Sequence, residues 1–461
     1  MKILKFGGSS VGDAQRINKV INILLNDYIN KKEKFAVVFS AFQGVTDKLI
    51  ETAHLAVQRK LSYKDELDFL RTKHEDINHQ LNNPNSQITD EKINELFDEL
   101  AGILHGVFLV KELSPRILDF VVSFGEKLSC NIITAALKNR NVDCEYLDAS
   151  KLIKTDDNFG NARVDFQKTN RNILNYFKKH KSLQVITGFI SSADKNEITT
   201  LGRGGSDYTA SIFGAALNAE LIEIWTDVNG ILTADPRKVK NAFTLNSVTY
   251  EEAMELSHFG AKVIYPPTML PALQKKIKIV IRNTFNPSFK GTYILEKETS
   301  KNFMVKGISS IDDISLIRVQ GGGMIGVSGI AARLFNVLAR LGINIILITQ
   351  ASSEHSICFA ISPKEGNIAK KSIEEEFRLE ILDGKIGEVK LEENLSIIAV
   401  VGEKMRHTPG VAGTVFNALG TNKINIVAIA QGSSELNISL VINKNELSKA
   451  LNILHKALLK K

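Results

Sequence analysis

Two stretches of this chain repeat one another without a gap, and that duplication narrows what its C-terminal third can fold into. Ile314–Ser362 and Leu395–Asn443 align at a constant offset of 81 residues. Gly329 meets Gly410, Phe335 meets Phe416, Asn344 meets Asn425 and Gln350 meets Gln431. Ser352-Ser353-Glu354 meets Ser433-Ser434-Glu435. Each copy reads as strand, glycine-rich turn, helix, strand, turn, strand. Self-similarity of this kind marks a duplicated module. Two copies are too few for a solenoid, so a side-by-side pair is expected.

The first two-thirds follow a different rhythm. Ile3–Phe6 reads as a strand, followed by Gly7-Gly8-Ser9-Ser10 and an amphipathic helix through about Tyr28. Phe35–Ser40 is a continuous apolar run, which suits a parallel strand covered on both faces. Residues from about Thr46 to Lys111 are polar and helix-prone, and Ser123–Asn139 has helical spacing. Leu183–Phe189 and Leu221–Thr226 are two further buried strands, with a small-residue helix at Ala210–Asn218 between them. This β-α-β alternation predicts a doubly wound α/β domain. Pro266, Pro267, Pro271 and the turn-rich run Asn283–Thr292 mark the break before the repeats.

Composition excludes several classes. With 461 residues, 44% of them hydrophobic and 24% charged, the chain can bury several cores, and long disorder is excluded. The net charge of +7 is a mild lysine excess that suits nucleotides or phosphates. No dense basic stripe with interleaved aromatics points to nucleic acid. Three cysteines, Cys130, Cys144 and Cys358, with no C-x-x-C pair, argue against a disulfide framework or structural zinc. The first residues lack the apolar core of a signal peptide, and no uninterrupted apolar run reaches the ~18 residues of a membrane span. A cytoplasmic protein without membrane or nucleic-acid partners is the expectation.

Four segments carry chemistry. Lys5-Phe6-Gly7-Gly8-Ser9-Ser10 puts bare backbone and a helix N-terminus after a strand, with Lys5 as a point charge for a phosphoryl oxygen. It is not a Walker A loop, and the plain alternative is a tight strand-to-helix turn. In Leu201–Ala210, three glycines surround Arg203 before Ser206 and Asp207 open a helix. Ser206 or Asp207 can serve as an N-cap, but a glycine-flanked Arg offers a fork for a carboxylate, and Asp207 suits a metal or an ammonium. Trp225–Arg237 ends a buried strand in a polar turn, where open α/β sheets bind ligands. Phe259–Val263 carries Lys262, in isolation a solvated lysine. Glu126 and Asp47 are two further acidic candidates, each with a bland surface alternative. His258 and His407 have no partner at metal or triad spacing.

Taken in order, KFGGSSV (Lys5–Val11), SAFQGVTD (Ser40–Asp47), FGEKLS (Phe124–Ser129), LGRGGSDYTA (Leu201–Ala210), WTDVNG…DPR (Trp225–Arg237) and FGAKV (Phe259–Val263) resemble the aspartokinases of the amino acid kinase superfamily. The repeats resemble that family's paired ACT modules. The resemblance implies a three-layer αβα kinase domain with a mainly parallel sheet over residues 1–298. It implies α+β ACT-like regulatory modules over 299–392 and 393–461. It also implies ATP and Mg²⁺ as cofactors, L-aspartate as acceptor and 4-phospho-L-aspartate as product, at the entry to lysine, threonine and methionine synthesis.

Residue by residue, the resemblance makes Lys5 and Asp207 catalytic. Gly7, Gly8 and Ser9 line the phosphate loop. Arg203, Glu126, Ser40, Thr46 and Ser206 hold the substrate, and Thr226, Asp227, Arg237 and Lys262 match nucleotide-binding positions. Leu232 stands where the family often has Tyr, and Ser9 where it often has Thr. Gln350 and Gln431 resemble the regulatory positions of the threonine-sensitive branch more than those of the lysine-sensitive branch. The alternative is that both simply cap strand ends. An allosteric amino acid, threonine or lysine, and a homo-oligomer formed through the ACT-like modules are implied partners. No G-x-G-x-x-G unit follows in these residues, so a fused homoserine dehydrogenase is not expected. Two rivals remain: another amino acid kinase with a different acceptor, and a non-catalytic amino-acid sensor.

Overall fold

The computed structural model describes residues 1–259, 264–297, 303–350 and 355–459. It divides into two compact units. The first comprises Met1–Ile231, Thr244–Tyr250 and Val263–Glu298. Its strands are β1 (Lys2–Phe6), β2 (Phe35–Phe39), β3 (Cys144–Leu147), β4 (Leu183–Thr187), the hairpin β5 (Ile190–Ser192) and β6 (Ile198–Thr200), β7 (Leu221–Thr226), β8 (Ser247–Thr249), β9 (Lys278–Asn283) and β10 (Thr292–Leu295). Eight of them form one sheet in the order β3-β4-β2-β1-β7-β9-β10-β8. Every neighbouring pair is parallel except β9 with β10.

Helices α1 (Ala14–Ile23), α2 (Val45–Val57), α3 (Tyr63–Asn82), α4 (Gln87–Val110), α5 (Pro115–Lys138), α6 (Phe166–Lys179) and α7 (Gly205–Ala216) complete the αβα layers. All five residues of β2 are buried, as a strand sandwiched between helix layers must be. Across the centre of the sheet Phe6 stacks on Phe39 and on Trp225, each at 5.6 Å between ring centroids. The helix expected to run through about Tyr28 continues to Ile29, its last stretch, Leu24–Ile29, being of π type. That wider turn sets Tyr28 inward, where its hydroxyl donates to Glu223 at 2.6 Å.

By length and composition α5 could cross a bilayer, yet 78% of its most apolar window is buried and it carries the buried carboxylates Asp119 and Glu126. It is the central helix of this unit.

The second unit comprises Leu232–Phe243, Glu251–Lys262 and Thr299–Lys461. A single cut at residue 298 is therefore too simple, because two short stretches from before it pack with the C-terminal residues. Within this unit Ile308 N–H donates to the Thr233 carbonyl at 2.7 Å, and Thr233 Oγ1 lies 2.9 Å from His455 Nε2. Strands β11 (Gly307–Gln320), β12 (Leu347–Gln350), β13 (Ser356–Ile361), β14 (Lys390–Val401), β15 (Ile426–Ala430) and β16 (Asn437–Asn443) form one antiparallel sheet. Its order, β12-β13-β11-β14-β16-β15, places the two repeats side by side with their long first strands adjacent. Each repeat keeps its own core, one around Leu334, Phe359 and Phe377, the other around Val415, Leu440 and Leu454. The sheet's outer strands also meet: Thr349 Oγ1 donates to the Ile429 carbonyl at 2.8 Å. Gln350, the last residue of β12, and Gln431, the residue after β15, are both exposed.

Candidate active site

Parallel strands present their carboxyl ends, and the turns that follow them, on one edge of the sheet. In the first unit the turns after β1, β2 and β4 and the start of α7 enclose a cavity of about 400 Å³. Among the residues singled out from sequence, Lys5, Gly8, Ser9, Ser40, Thr46, Asp47, Glu126, Arg203 and Ser206 line it. The two glycine-rich turns therefore share one cleft.

Lys5 is held on β1, the central strand, paired with Val38 on one side and Ile224 on the other. Its Nζ lies 2.5 Å from Asp207 Oδ1, and both side chains are nearly buried, 11% and 12% exposed. Asp207 is in the first turn of α7, where the helix dipole favours a carboxylate. Gly204 caps that helix from a left-handed φ of 72°. Gly7 N–H donates to the Trp225 carbonyl at 3.2 Å, and Ser10 N–H returns to Gly7 O at 2.9 Å, which pins the turn above the sheet.

Glu126 forms the inner wall. It is 3% exposed; Oε1 accepts the Ala41 N–H at 3.1 Å, and Oε2 has no hydrogen-bond partner among the described residues. Burial pushes its carboxyl up to about 8, against the Ala41 N–H and Lys5, which pull it down. The close seat of α5 depends on Gly125, since a Cβ there would stand 2.8 Å from the Ala41 Cβ. Ser40 is fixed from both sides: its N–H donates to Phe6 O, and its carbonyl accepts from Ser129 Oγ at 2.9 Å. Arg203 is exposed, its guanidinium over the Tyr265 ring at 5.6 Å.

The nucleotide positions divide. Thr226 ends β7 beside Gly7 and Asp227 follows it, on the same edge of the sheet, but neither lines the cavity. Thr226 Oγ1 donates to Asp227 Oδ1 at 3.1 Å. Arg237 belongs to the second unit, 85% exposed and held by Asp235 at 2.7 Å. Lys262 and the Ser352–Glu354 stretch lie outside the described residues.

Several neighbours escaped the sequence reading. Phe189 lines the cavity with φ +68°, an unusual left-handed backbone for a bulky residue, and its N–H is held by Thr209 Oγ1 at 3.0 Å. Gln43 also lines it, bridged to the first turn by Arg16, whose Nη1 donates to Gln43 Oε1 and to the Ser9 carbonyl. Phe42, another lining residue, stacks on the buried His74 at 5.1 Å. Only the glycine preceding Phe189 hinted at a turn there.

The arrangement can therefore balance negative charge with Lys5, grip an anion at two bare turns, and meet a cation with the unpaired oxygen of Glu126.

Comparison with known proteins adds to this. The model of the amino acid kinase family matches residues 1–283. The ACT domain model matches 317–377 and 398–458, again at the repeat spacing. The chain is 37% identical over 459 residues to the bifunctional aspartokinase/homoserine dehydrogenase 1, chloroplastic, of Arabidopsis thaliana, which covers 98% of this chain and 50% of that one. It thus spans about half the length of the bifunctional relatives it matches. It is 33% identical over 465 residues to aspartokinase 3, chloroplastic, of the same plant, 99% of this chain and 81% of that one. The structure is similar to that of E. coli aspartokinase III in complex with aspartate and ADP in the R-state, with a TM-score of 0.83, 30% identity and full coverage of both chains.

Proposed function

The chain belongs to the amino acid kinase family, among its aspartokinases, and on that premise we propose that it transfers the γ-phosphoryl group of ATP to the β-carboxylate of L-aspartate, giving 4-phospho-L-aspartate. The observation that carries this reading is the single cleft shared by the Lys5–Ser9 and Arg203–Ser206 turns, with Glu126 as its wall.

A β-carboxylate with a pKa near about 4 is already ionised at neutral pH, so no general base is required. The barrier is the approach of two anions. Arg203 clamps the α-carboxylate, and the free oxygen of Glu126 meets the α-ammonium, with Ser40, Thr46 and Ser206 completing the pocket. Lys5 neutralises the moving phosphoryl group while the backbone at Gly7, Gly8 and Ser9 grips the phosphates. The β-carboxylate oxygen attacks phosphorus, the bond to the bridging oxygen breaks, and ADP leaves. Asp207 orients Lys5 by their ion pair. Thr226, Asp227, Arg237 and Lys262 serve the nucleotide.

Among the described residues no group of three or more His, Cys, Asp or Glu gathers. A single carboxylate, Asp207 in the first turn of α7, fits a nucleotide-borne Mg²⁺, which takes one or two carboxylates and completes its shell with phosphate and water. Asp207 is the carboxylate that would hold it. When bound, the ion would supply further charge neutralisation on the phosphates.

The paired ACT domains support feedback control by threonine or lysine, read through Gln350 and Gln431, in a cytoplasmic homo-oligomer built through those modules. An ATP-dependent hydroxamate assay tests the whole reading. Product with L-aspartate, reduced by one of the two amino acids, is the expected result. Product only with another acceptor would make the chain a different amino acid kinase, and no product with any acceptor would make it a sensor.

A further inference from the structure

We propose that Asp119 is a positioning residue that fixes the Arg203 loop against α5, a role that rests on the reading of Arg203 as the substrate's carboxylate clamp. Asp119 and Glu126 lie on one face of α5, about two turns apart. Glu126 lines the cavity and Asp119 does not. Asp119 is 3% exposed and accepts three hydrogen bonds. Thr200 supplies two, from N–H to Oδ2 at 2.9 Å and from Oγ1 to Oδ1 at 2.8 Å. The Gly160 N–H supplies the third, to Oδ2 at 2.8 Å.

Both donors frame Arg203. Thr200 ends β6, just before the Leu201-Gly202-Arg203 turn. The Gly160 loop backs that turn: a Cβ on Gly202 would lie 2.7 Å from Asn161 Oδ1 and 3.2 Å from Gly160 O. The Ala162 N–H donates to Thr200 O at 3.0 Å and ties loop and strand together. One helix thus sets Glu126 directly and Arg203 through Asp119. The spacing between the groups that meet the two charged ends of one small substrate is fixed by a single rigid element. A displacement near 1 Å is enough to cost substrate positioning heavily.

The test compares two variants at this position. Asp119→Ala removes all three acceptors. Asp119→Asn keeps the contacts, since its amide oxygen takes the two backbone N–H groups and its NH₂ donates to the Thr200 hydroxyl. We expect Asp119→Ala to raise the aspartate KM about tenfold or more with the ATP KM nearly unchanged, and Asp119→Asn to restore it. An unchanged aspartate KM, parallel rises for both substrates, or an Asn variant as defective as Ala would each overturn the proposal. Where the Ala variant does not fold, Thr200→Val deletes one donor. A smaller rise confined to aspartate supports the proposal, and no rise overturns it.

Amide exchange at Gly160 and Thr200 in the free protein gives a readout without activity. It should quicken in Asp119→Ala and recover in Asp119→Asn, and unchanged exchange overturns the latch. If the unaltered chain does not phosphorylate aspartate, the acceptor reading fails by itself, and exchange still decides whether Asp119 holds the loop.

Discussion

Lys5 Nζ and Asp207 Oδ1 stand 2.5 Å apart, joining the central strand to the first turn of α7. Removing one member of a nearly buried ion pair leaves the other charge uncompensated. Lys5→Met should therefore lose both melting temperature and turnover, the latter by about 10²-fold or more because transition-state charge goes unbalanced. Adding Asp207→Asn should recover the melting temperature and none of the turnover. Recovery of both together would remove Lys5 from the chemistry.

Arg203 offers a planar fork that a lysine cannot reproduce. Arg203→Lys should raise the aspartate KM by about tenfold, the factor equivalent to 1.4 kcal/mol of lost binding, and leave the ATP KM unchanged. Steady-state kinetics with each substrate varied separately decides it. A rise in the ATP KM alone would reassign Arg203 to the nucleotide.

Glu126 gives a pH signature. Its carboxyl is raised from 4.5 to about 8 by burial, so between those values the folded state holds a proton that the unfolded state has released. The ligand-free protein should lose stability as pH rises through that window and level off above it. Glu126→Gln has no charge to desolvate. Its melting temperature should match the parent near pH 4.5 and exceed it at pH 9 by several degrees, at about 2–4 °C per kcal/mol for a unit of this size. An advantage that shrinks with rising pH would contradict the assignment.

Buried His74 predicts the opposite slope. Burial lowers it from 6.5 to about 4, so in that range the unfolded state binds the extra proton, and stability falls as pH drops from 6.5 towards 4. His74→Phe keeps a ring beneath Phe42 and should flatten that acid limb in a thermal scan. An unchanged limb would place the acid sensitivity elsewhere.

Gly125→Ala forces a methyl within 2.8 Å of the Ala41 Cβ. Either α5 or the Ser40–Ala41 turn must give way, at about 1–3 kcal/mol for overpacking, and the Ala41–Glu126 hydrogen bond should weaken. Chemical denaturation and the aspartate KM should both report it. A variant with unchanged stability and aspartate KM would show that the turn yields freely.

The turn that follows Lys5 and the turn that carries Arg203 were legible in the sequence because glycines cost stability in most settings, and charged residues beside or among them have little other use. Strands β1, β2 and β7 were legible for a related reason: short apolar runs bounded by polar turns have few other fates. Asp119 was not legible. It interrupts an apolar helix as a surface carboxylate would, and its partners lie far away in sequence. Phe189 read as the last residue of a strand, and its left-handed conformation is held by partners distant in sequence, Thr209 Oγ1 on its N–H and the Leu201 N–H on its carbonyl. The stretches 232–243 and 251–259 carry no local sign of which unit they join, because that choice is made by contacts with the C-terminal residues.

The adjacency of β11 and β14 bears on attempts to isolate a single repeat. Separating the copies would strip each long strand of one of its two partners, leaving β11 only β13 and β14 only β16, and bare a row of unpaired amide and carbonyl groups. Either fragment alone would be prone to self-association, and a soluble regulatory fragment should retain both.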